Sequence, residues 1–403
     1  MVNGKKRKEE HEEFEYFTEK ILMDPLLFER IVCDGLDHKI VEEDFARKCI
    51  FLCAMGSYVL NAKRTSYNLL VNAESGAGKD HVTDAVLKIM PNEIVQKRTR
   101  ISPAALTYWH DAKWEPNWTW DGKILYLEDC SNQILNCDVF KVFTSGGSHA
   151  TIVKDQRAVD IVIKGKPVVI ITSASADPAA EMIRRFMVVN LNESRKQTSD
   201  VMKKWAENSM VIKKEVEYND YHEALKYLLP FNVIIPWANK LVPYMNNEHL
   251  HMRTHFSRFL DLIKASAVVH QWQREKEEEN IIIAEELDYN ISRELIIKTA
   301  SNNRMVPLTK NQKDIIENLK EMGLNTIFTE EDIVEVGWTH SELLAKLPFG
   351  RTQLYDELNK LVKFGFVNKT NYRFGNDFKK TIVYHYQETS PISIPTWEEM
   401  NNL

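Results

Sequence analysis

Ser66-Tyr67-Asn68-Leu69-Leu70-Val71-Asn72-Ala73-Glu74-Ser75-Gly76-Ala77-Gly78-Lys79-Asp80 is the stretch on which the reading of the fold turns. An apolar strand, Tyr67–Val71, runs into a glycine-lysine turn, and a helical pattern follows from about Lys79 to Met90. The turn is close to the phosphate-binding pattern G-x-x-x-x-G-K-S/T. It departs twice: Ala73 stands at the first glycine position and Asp80 at the Ser/Thr position. Gly76 and Gly78 let successive backbone N–H groups of Ser75–Asp80 turn inward and form an anion nest. Lys79 reaches the outer phosphates, and the helix points its positive end at them. Asp80 replaces a hydroxyl with a carboxylate that can hold Mg²⁺ directly or through water. The plain alternative is an ordinary strand-to-helix turn.

Outward from this turn, residues 66–191 alternate strands and helices, the pattern of a parallel sheet covered by helices. The expected strands are Tyr67–Val71, Glu93–Gln96, Lys123–Leu127, Pro167–Thr172 and Met187–Leu191. Lys123-Ile124-Leu125-Tyr126-Leu127-Glu128-Asp129 is a buried-strand pattern ending in two acids, which places carboxylates at the same sheet edge as the turn. One acid holds Mg²⁺ and the other orients and deprotonates a water. The order here is Glu128 then Asp129, the reverse of the usual one; position assigns Glu128 to the metal and Asp129 to the base. Thr172 and Ser173 end the next strand, where a polar group senses the outer phosphate; Ser173 is taken as the contact. Arg184-Arg185-Phe186 precedes the last strand, where an arginine either reaches a neighbouring subunit's nucleotide or belongs to a surface pair. Between the acids and Thr172, Gly146–Lys166 reads as two β-rich arms around a polar tip carrying Lys154 and Arg157. Such a hairpin either grips the phosphates of one nucleic-acid strand or is simply solvated.

These parts stand in the order found in one class. The chain resembles AAA+ replicative helicases of the superfamily 3 and minichromosome-maintenance (MCM) type, as in primase-helicases of phages, plasmids and mobile elements. The run Arg258–Arg274 resembles their helical lid, and Asp24–Val32 and Ile283–Tyr289 continue the likeness, which covers roughly residues 20–300. The resemblance implies an α/β P-loop ATPase core using ATP and Mg²⁺. It also implies a homo-hexameric ring, DNA gripped by the hairpin, and Arg185 acting in trans. A lid arginine acts as a second sensor: Arg258, with Arg253 the other candidate. No primase motif is present, so priming would fall to a separate primase or polymerase.

Residues 305–390 resemble a winged helix-turn-helix. Ile327–Ile333 is expected to start a helix capped by Thr329. Gly350–Leu358 is the expected recognition helix, with Arg351, Thr352 and Gln353 at its start. Lys369, Arg373, Lys379 and Lys380 fall on the wing. This unit contacts either double-stranded DNA or protein. The expected organisation is a helical N-terminal segment at 1–60, the ATPase core with its hairpin at 61–245, the lid at 246–304, the winged helix at 305–390 and a tail at 391–403.

Composition sets limits on these readings. A 403-residue chain with 44% hydrophobic residues supports more than one core. The net charge of −6 excludes a polybasic nucleic-acid coat, so contacts with single- or double-stranded DNA must be local. No apolar run suits a membrane span. The five cysteines form no metal-binding spacing, and Cys49 and Cys53 read as buried apolar residues. A reducing, cytoplasmic setting is expected. A non-motor AAA+ initiator, loader or regulator is the alternative function, and a transcription regulator with a decayed ATPase a third.

Overall fold

Ile124–Leu127 and Val168–Ser173 are buried on both faces along their whole length, as unbroken apolar strands in a parallel sheet require. The computed structural model describes residues 13–102, 105, 118–145, 149–154, 156–162, 164–174, 185–210, 220–245, 250–301, 309–328, 333–363, 366–373, 380–386 and 394–402. It divides into two compact units: Met1–Pro243 with Arg253–Ile296 and Pro395–Leu403, and Tyr244–Met252 with Ile297–Ile394. Among the described residues no helix is long and apolar enough to cross a membrane.

In the first unit, short helical turns precede α1 (Asp44–Met55), which buries Cys49 and Cys53. There follow β1 (Leu69–Asn72), α2 (Lys79–Leu87), β2 (Val95–Arg98), β3 (Ile124–Leu127), α3 (Asp138–Phe143), β4 (His149–Lys154), β5 (Arg157–Val162), β6 (Val168–Ser173) and β7 (Met187–Asn190). The five strands of the sheet lie in the order β2-β3-β6-β1-β7, all parallel. Each expected strand is present, within a few residues of its expected limits. The strand leading to the glycine-lysine turn is thus separated from the acid-bearing strand by β6, and all three end at one edge.

Alternation along the strands sorts the faces. Leu70, Leu125, Leu127, Val169, Ile171 and Val188 pack with Trp120, Phe140, Phe143 and Phe186. α1 and α2 pack against each other and against β1 and β6. Burying a side chain of this size contributes ~1.5–3 kcal/mol, so the sheet holds its edge rigidly beneath the loops. β4 and β5 form a separate antiparallel pair, from His149↔Val162 to Lys154↔Arg157, with Gln156 in the left-handed region (φ 61°) at the turn.

The remainder of the first unit holds α4 (Arg195–Ser209), β8 (Asn232–Ile234), most of α5 (Leu250–Val269), β9 (Lys276–Glu278), β10 (Ile281–Ile283) and most of α6 (Glu286–Ser301). Here the helical lid expected over Arg258–Arg274 ends early. The helix stops at Val269, and Lys276–Glu278 is an exposed strand antiparallel to β10, whose three β-branched isoleucines favour extended backbone. Buried Asp288 of α6 accepts from Ser266 Oγ and from Arg274 Nε and Nη2, each at 2.8 Å, which ties α5 to α6. The tail returns to this unit: Tyr289 Oη donates to the Pro395 carbonyl (2.6 Å), and Trp397 packs edge-on against Trp237.

The second unit contains α7 (Lys310–Met322), β11 (Asn325–Phe328), β12 (Ile333–Val336), β13 (Trp338–Thr339), α8 (His340–Lys346), α9 (Arg351–Lys363), β14 (Val367–Arg373) and β15 (Lys380–Tyr386). Capping boxes Thr309–Gln312 and Thr339–Glu342 start α7 and α8. Ile315, Leu319, Leu343, Leu354, Leu358 and Leu361 join the three helices against the sheet β13-β15-β14. Ile327 does not open a helix: β11 pairs antiparallel with β12, consistent with the β-branched residues of both segments, and Thr329 lies outside the described residues.

Candidate functional site

The turn after β1 is built as a phosphate loop. Gly76 and Gly78 have φ of 90° and 87°, and a Cβ added to either would meet nothing within 4 Å. Ala73 is absent from the positive-φ residues, which explains why alanine is tolerated at the first glycine position. Ser75, Gly76 and Ala77 are exposed. Gly78 caps α2, whose first internal hydrogen bond runs from Val82 N–H to the Gly78 carbonyl, so the N–H groups of Lys79, Asp80 and His81 are free of intrahelical partners. Lys79 is buried beneath the loop.

Carboxylates converge on that lysine. Lys79 Nζ lies 3.5 Å from Asp80 Oδ2 and 3.5 Å from Asp129 Oδ1. Thr172 joins the two acids: its hydroxyl donates to Asp80 Oδ1 and accepts from the Asp129 N–H (2.8 Å). Asp129 has φ of 48°, so the chain leaves the strand geometry there and the side chain swings toward Lys79. Glu128 keeps the alternation of Tyr126 and turns away. It accepts from Thr99 Oγ1 (2.9 Å) and sits 3.6 Å from Lys97 Nζ, which also binds Asp84 (2.6 Å). Burial first, and then the Asp80 and Glu128 charges, raise the Tyr126 phenol above its ordinary range.

This geometry separates the members of two adjacent pairs. Asp129 rather than Glu128 is brought to Lys79, because the left-handed turn cannot be read from the order of the acids. Thr172 rather than Ser173 stands between the acids, because strand alternation delivers only one of two neighbours. Ser173 is buried in register with Asn72, and its carbonyl accepts from the Ala73 N–H.

Arg258 lies apart from its own chain's loop. It is buried, donates from Nε to the Ser66 carbonyl (3.2 Å) and is pushed down to about 10 by burial. Ser66 precedes β1, at the opposite end of that strand from the loop, so Arg258 does not reach its own chain's phosphates. Arg253, on the same helix, is exposed. Arg185 donates from Nη1 to the Lys141 carbonyl (2.6 Å), and Lys166 Nζ donates to the carbonyls of Val142 (3.1 Å) and Phe143 (3.3 Å). Both cations thus serve the carboxyl end of α3, just before the hairpin, where the helix dipole favours positive charge. Burial pushes Lys166 down to about 8. Arg184 lies outside the described residues.

Lys154 and Arg157 form the last pair of the hairpin, and Arg157 is exposed. Arg351, Thr352 and Gln353 are exposed in the first turn of α9. Lys369 donates to Asn359 (3.3 Å), Arg373 at the end of β14 pairs with Lys380 at the start of β15, and Lys379 lies outside the described residues. Sequence reasoning missed Lys97 and Glu193, whose Oε1 accepts from the Glu74 N–H of the loop (2.7 Å). It also missed the Asn72–Asn190 bond (3.2 Å) that joins the ends of β1 and β7. All are contacts distant in sequence, with no local signal.

The donor set fits a nucleoside triphosphate with Mg²⁺. The loop offers N–H groups and a lysine, and Asp80 and Asp129 offer hard oxygens. Among the described residues no group of three or more His, Cys, Asp or Glu is arranged to hold a metal by itself. Mg²⁺ is typically held by one or two carboxylates plus substrate phosphates. No curated protein gives a significant match to the chain. The family model of the MTBMA_p00010 P-loop domain matches residues 19–230, more than half of the chain and the whole five-stranded sheet. With its phosphate loop, converging carboxylates and parallel sheet, the chain belongs to the MTBMA_p00010 P-loop domain family and is a P-loop NTPase.

Proposed function

We propose that this NTPase is an ATP-driven DNA helicase or translocase of the AAA+ superfamily 3/MCM-like type, acting as a homo-hexameric ring in replication of a mobile element, plasmid or virus. The observation that carries the reading is the β4–β5 hairpin. It interrupts the core between β3, which leads into Asp129, and β6, which carries Thr172, so a shift at the nucleotide has a short covalent path to the hairpin.

In this reading Lys79 and the first turn of α2 hold the outer phosphates. Asp80 and Asp129 face the cation side, held in place by Thr172. A bound Mg²⁺ would neutralise charge on the transferring phosphoryl group. Glu128, beside Lys97, orients the attacking water. Arg185 leaves the Lys141 carbonyl and completes a neighbouring subunit's site, stabilising the charge that develops on the phosphate. Because that carbonyl ends α3, its release changes the support of β4. Lys154 and Arg157 then advance along one DNA strand through its phosphates. The second unit is a winged helix that presents Arg351, Thr352 and Gln353 to duplex DNA.

A second reading, a non-motor AAA+ initiator, loader or regulator, is favoured by one observation: Arg185 is bonded within its own chain, as in a resting switch. Strand displacement on a forked duplex with Mg²⁺-ATP separates the two. The helicase reading expects ATP-dependent release of one strand. ATP turnover and DNA binding without release would support the switch.

A further inference from the structure

The departure at Asp80 has a physical consequence for how the nucleotide enters. In the usual loop a neutral hydroxyl stands at this position. Here a carboxylate stands 3.5 Å from Lys79 Nζ, and Asp129 stands equally close on another side. Those three side chains sum to a net charge of −1, from one ammonium and two carboxylates. The Thr172 hydroxyl donates to Asp80 and accepts from the Asp129 backbone, which holds the Asp80 carboxylate beside the loop. A polyphosphate arriving alone therefore meets a lysine already neutralised and a fixed negative charge. A cation arriving alone finds too few ligands, because among the described residues no trio of metal-binding side chains is assembled. Each ligand supplies the missing half of the other's site.

On the reading that this loop holds a nucleoside triphosphate, we infer that Asp80 makes nucleotide binding conditional on a divalent cation: the loop accepts the metal–nucleotide complex and rejects the free polyanion. Asp80 is a specificity-determining residue for the metal-bound state of the substrate. The coupling is reciprocal, so nucleotide must tighten cation binding by the same factor.

The test is equilibrium binding of a fluorescent ATP analogue to the full chain, in Mg²⁺ and in EDTA. The native protein should bind at least about 100-fold more weakly in EDTA, near the upper end of usual coupling between ligands. Asp80→Ser restores the usual hydroxyl, and Asp80→Asn keeps the size while removing the charge. Both should shrink the ratio to below about 10-fold, chiefly by tightening binding in EDTA. Native protein that binds the analogue in EDTA nearly as well as in Mg²⁺ would overturn the inference without reference to any variant. So would folded Asp80→Ser and Asp80→Asn proteins that keep the native ratio. Binding that is absent in Mg²⁺, or that survives Lys79→Ala, would overturn the phosphate-loop reading itself and the inference with it.

Discussion

β5 and β6 are neighbours in sequence and both are rich in valine and isoleucine, yet they are spent differently. In β6 every residue from Val168 to Ser173 is buried between packed layers. In the hairpin Val153 is 77% exposed and Val162 49% exposed. Burial accounts for the composition of β6 and for the rigid edge at which Lys79, Asp80, Asp129 and Thr172 meet. It does not account for the hairpin, which pairs with itself and stands apart from the five-stranded sheet. A strand that the core explains positions chemistry; a strand that it does not explain is free to make contacts of its own.

The largest expected effect lies where these regions join, at Arg185. Arg185→Ala should still bind ATP through its own Lys79 but lose about 10³-fold in turnover if the side chain completes a neighbouring site. Mixing with Lys79→Ala subunits should restore part of the activity, because some interfaces then pair an intact lysine with an intact arginine. Co-assembled mixtures that stay inactive would place Arg185 in a purely intramolecular role at the end of α3.

Stability sharpens the contrast. Leu125→Ala opens a cavity in the core beside Val169 and should cost ~2–5 kcal/mol in denaturant unfolding. Val153→Ser should stay within ~0.5 kcal/mol of the native protein. Similar costs at the two positions would break the distinction. The acids come next: Glu128→Gln should retain Mg²⁺-ATP and lose about 10²-fold in turnover, whereas Asp129→Asn should first weaken Mg²⁺-ATP binding. Single-turnover and binding assays on both variants check this, and the opposite pattern would return the roles to those read from the sequence.

The smallest effect concerns Lys166, whose burial at the base of the hairpin pushes it down to about 8 from 10.5. The folded chain releases this proton before the unfolded chain does. Between those two values the unfolded state holds more protons, so Lys166 contributes stability that grows as pH rises. Lys166→Met should remove that part of the slope in thermal unfolding across alkaline pH. An unchanged slope would mean that the lysine is solvated.

Much of this was legible in the residues. The strands of the sheet announce themselves as apolar runs, and the loop's glycines permit the left-handed backbone that Gly76 and Gly78 adopt while Lys79 supplies a cation. What sequence could not convey was direction. Glu128 and Asp129 are adjacent, and only the left-handed turn at Asp129 decides which one faces Lys79. Thr172 and Ser173 are adjacent, and only register decides between them. Arg258 was assigned to a lid by resemblance, and tertiary packing sets it against Ser66. Ile327–Ile333 was read as helical, and pairing with a returning segment overrode the local pattern. Glu193 and Lys97 act across gaps in the chain that no motif spans.

The central claim, that chemistry at the buried edge is coupled to DNA at the exposed hairpin, is tested most directly by steady-state Mg²⁺-ATP turnover with and without single-stranded DNA. It should be measured for the native chain and for the Lys154→Ala/Arg157→Ala double variant. DNA is expected to stimulate the native enzyme and to leave the double variant unstimulated. Turnover that is indifferent to DNA in the native chain, or full stimulation in the double variant, would contradict the account.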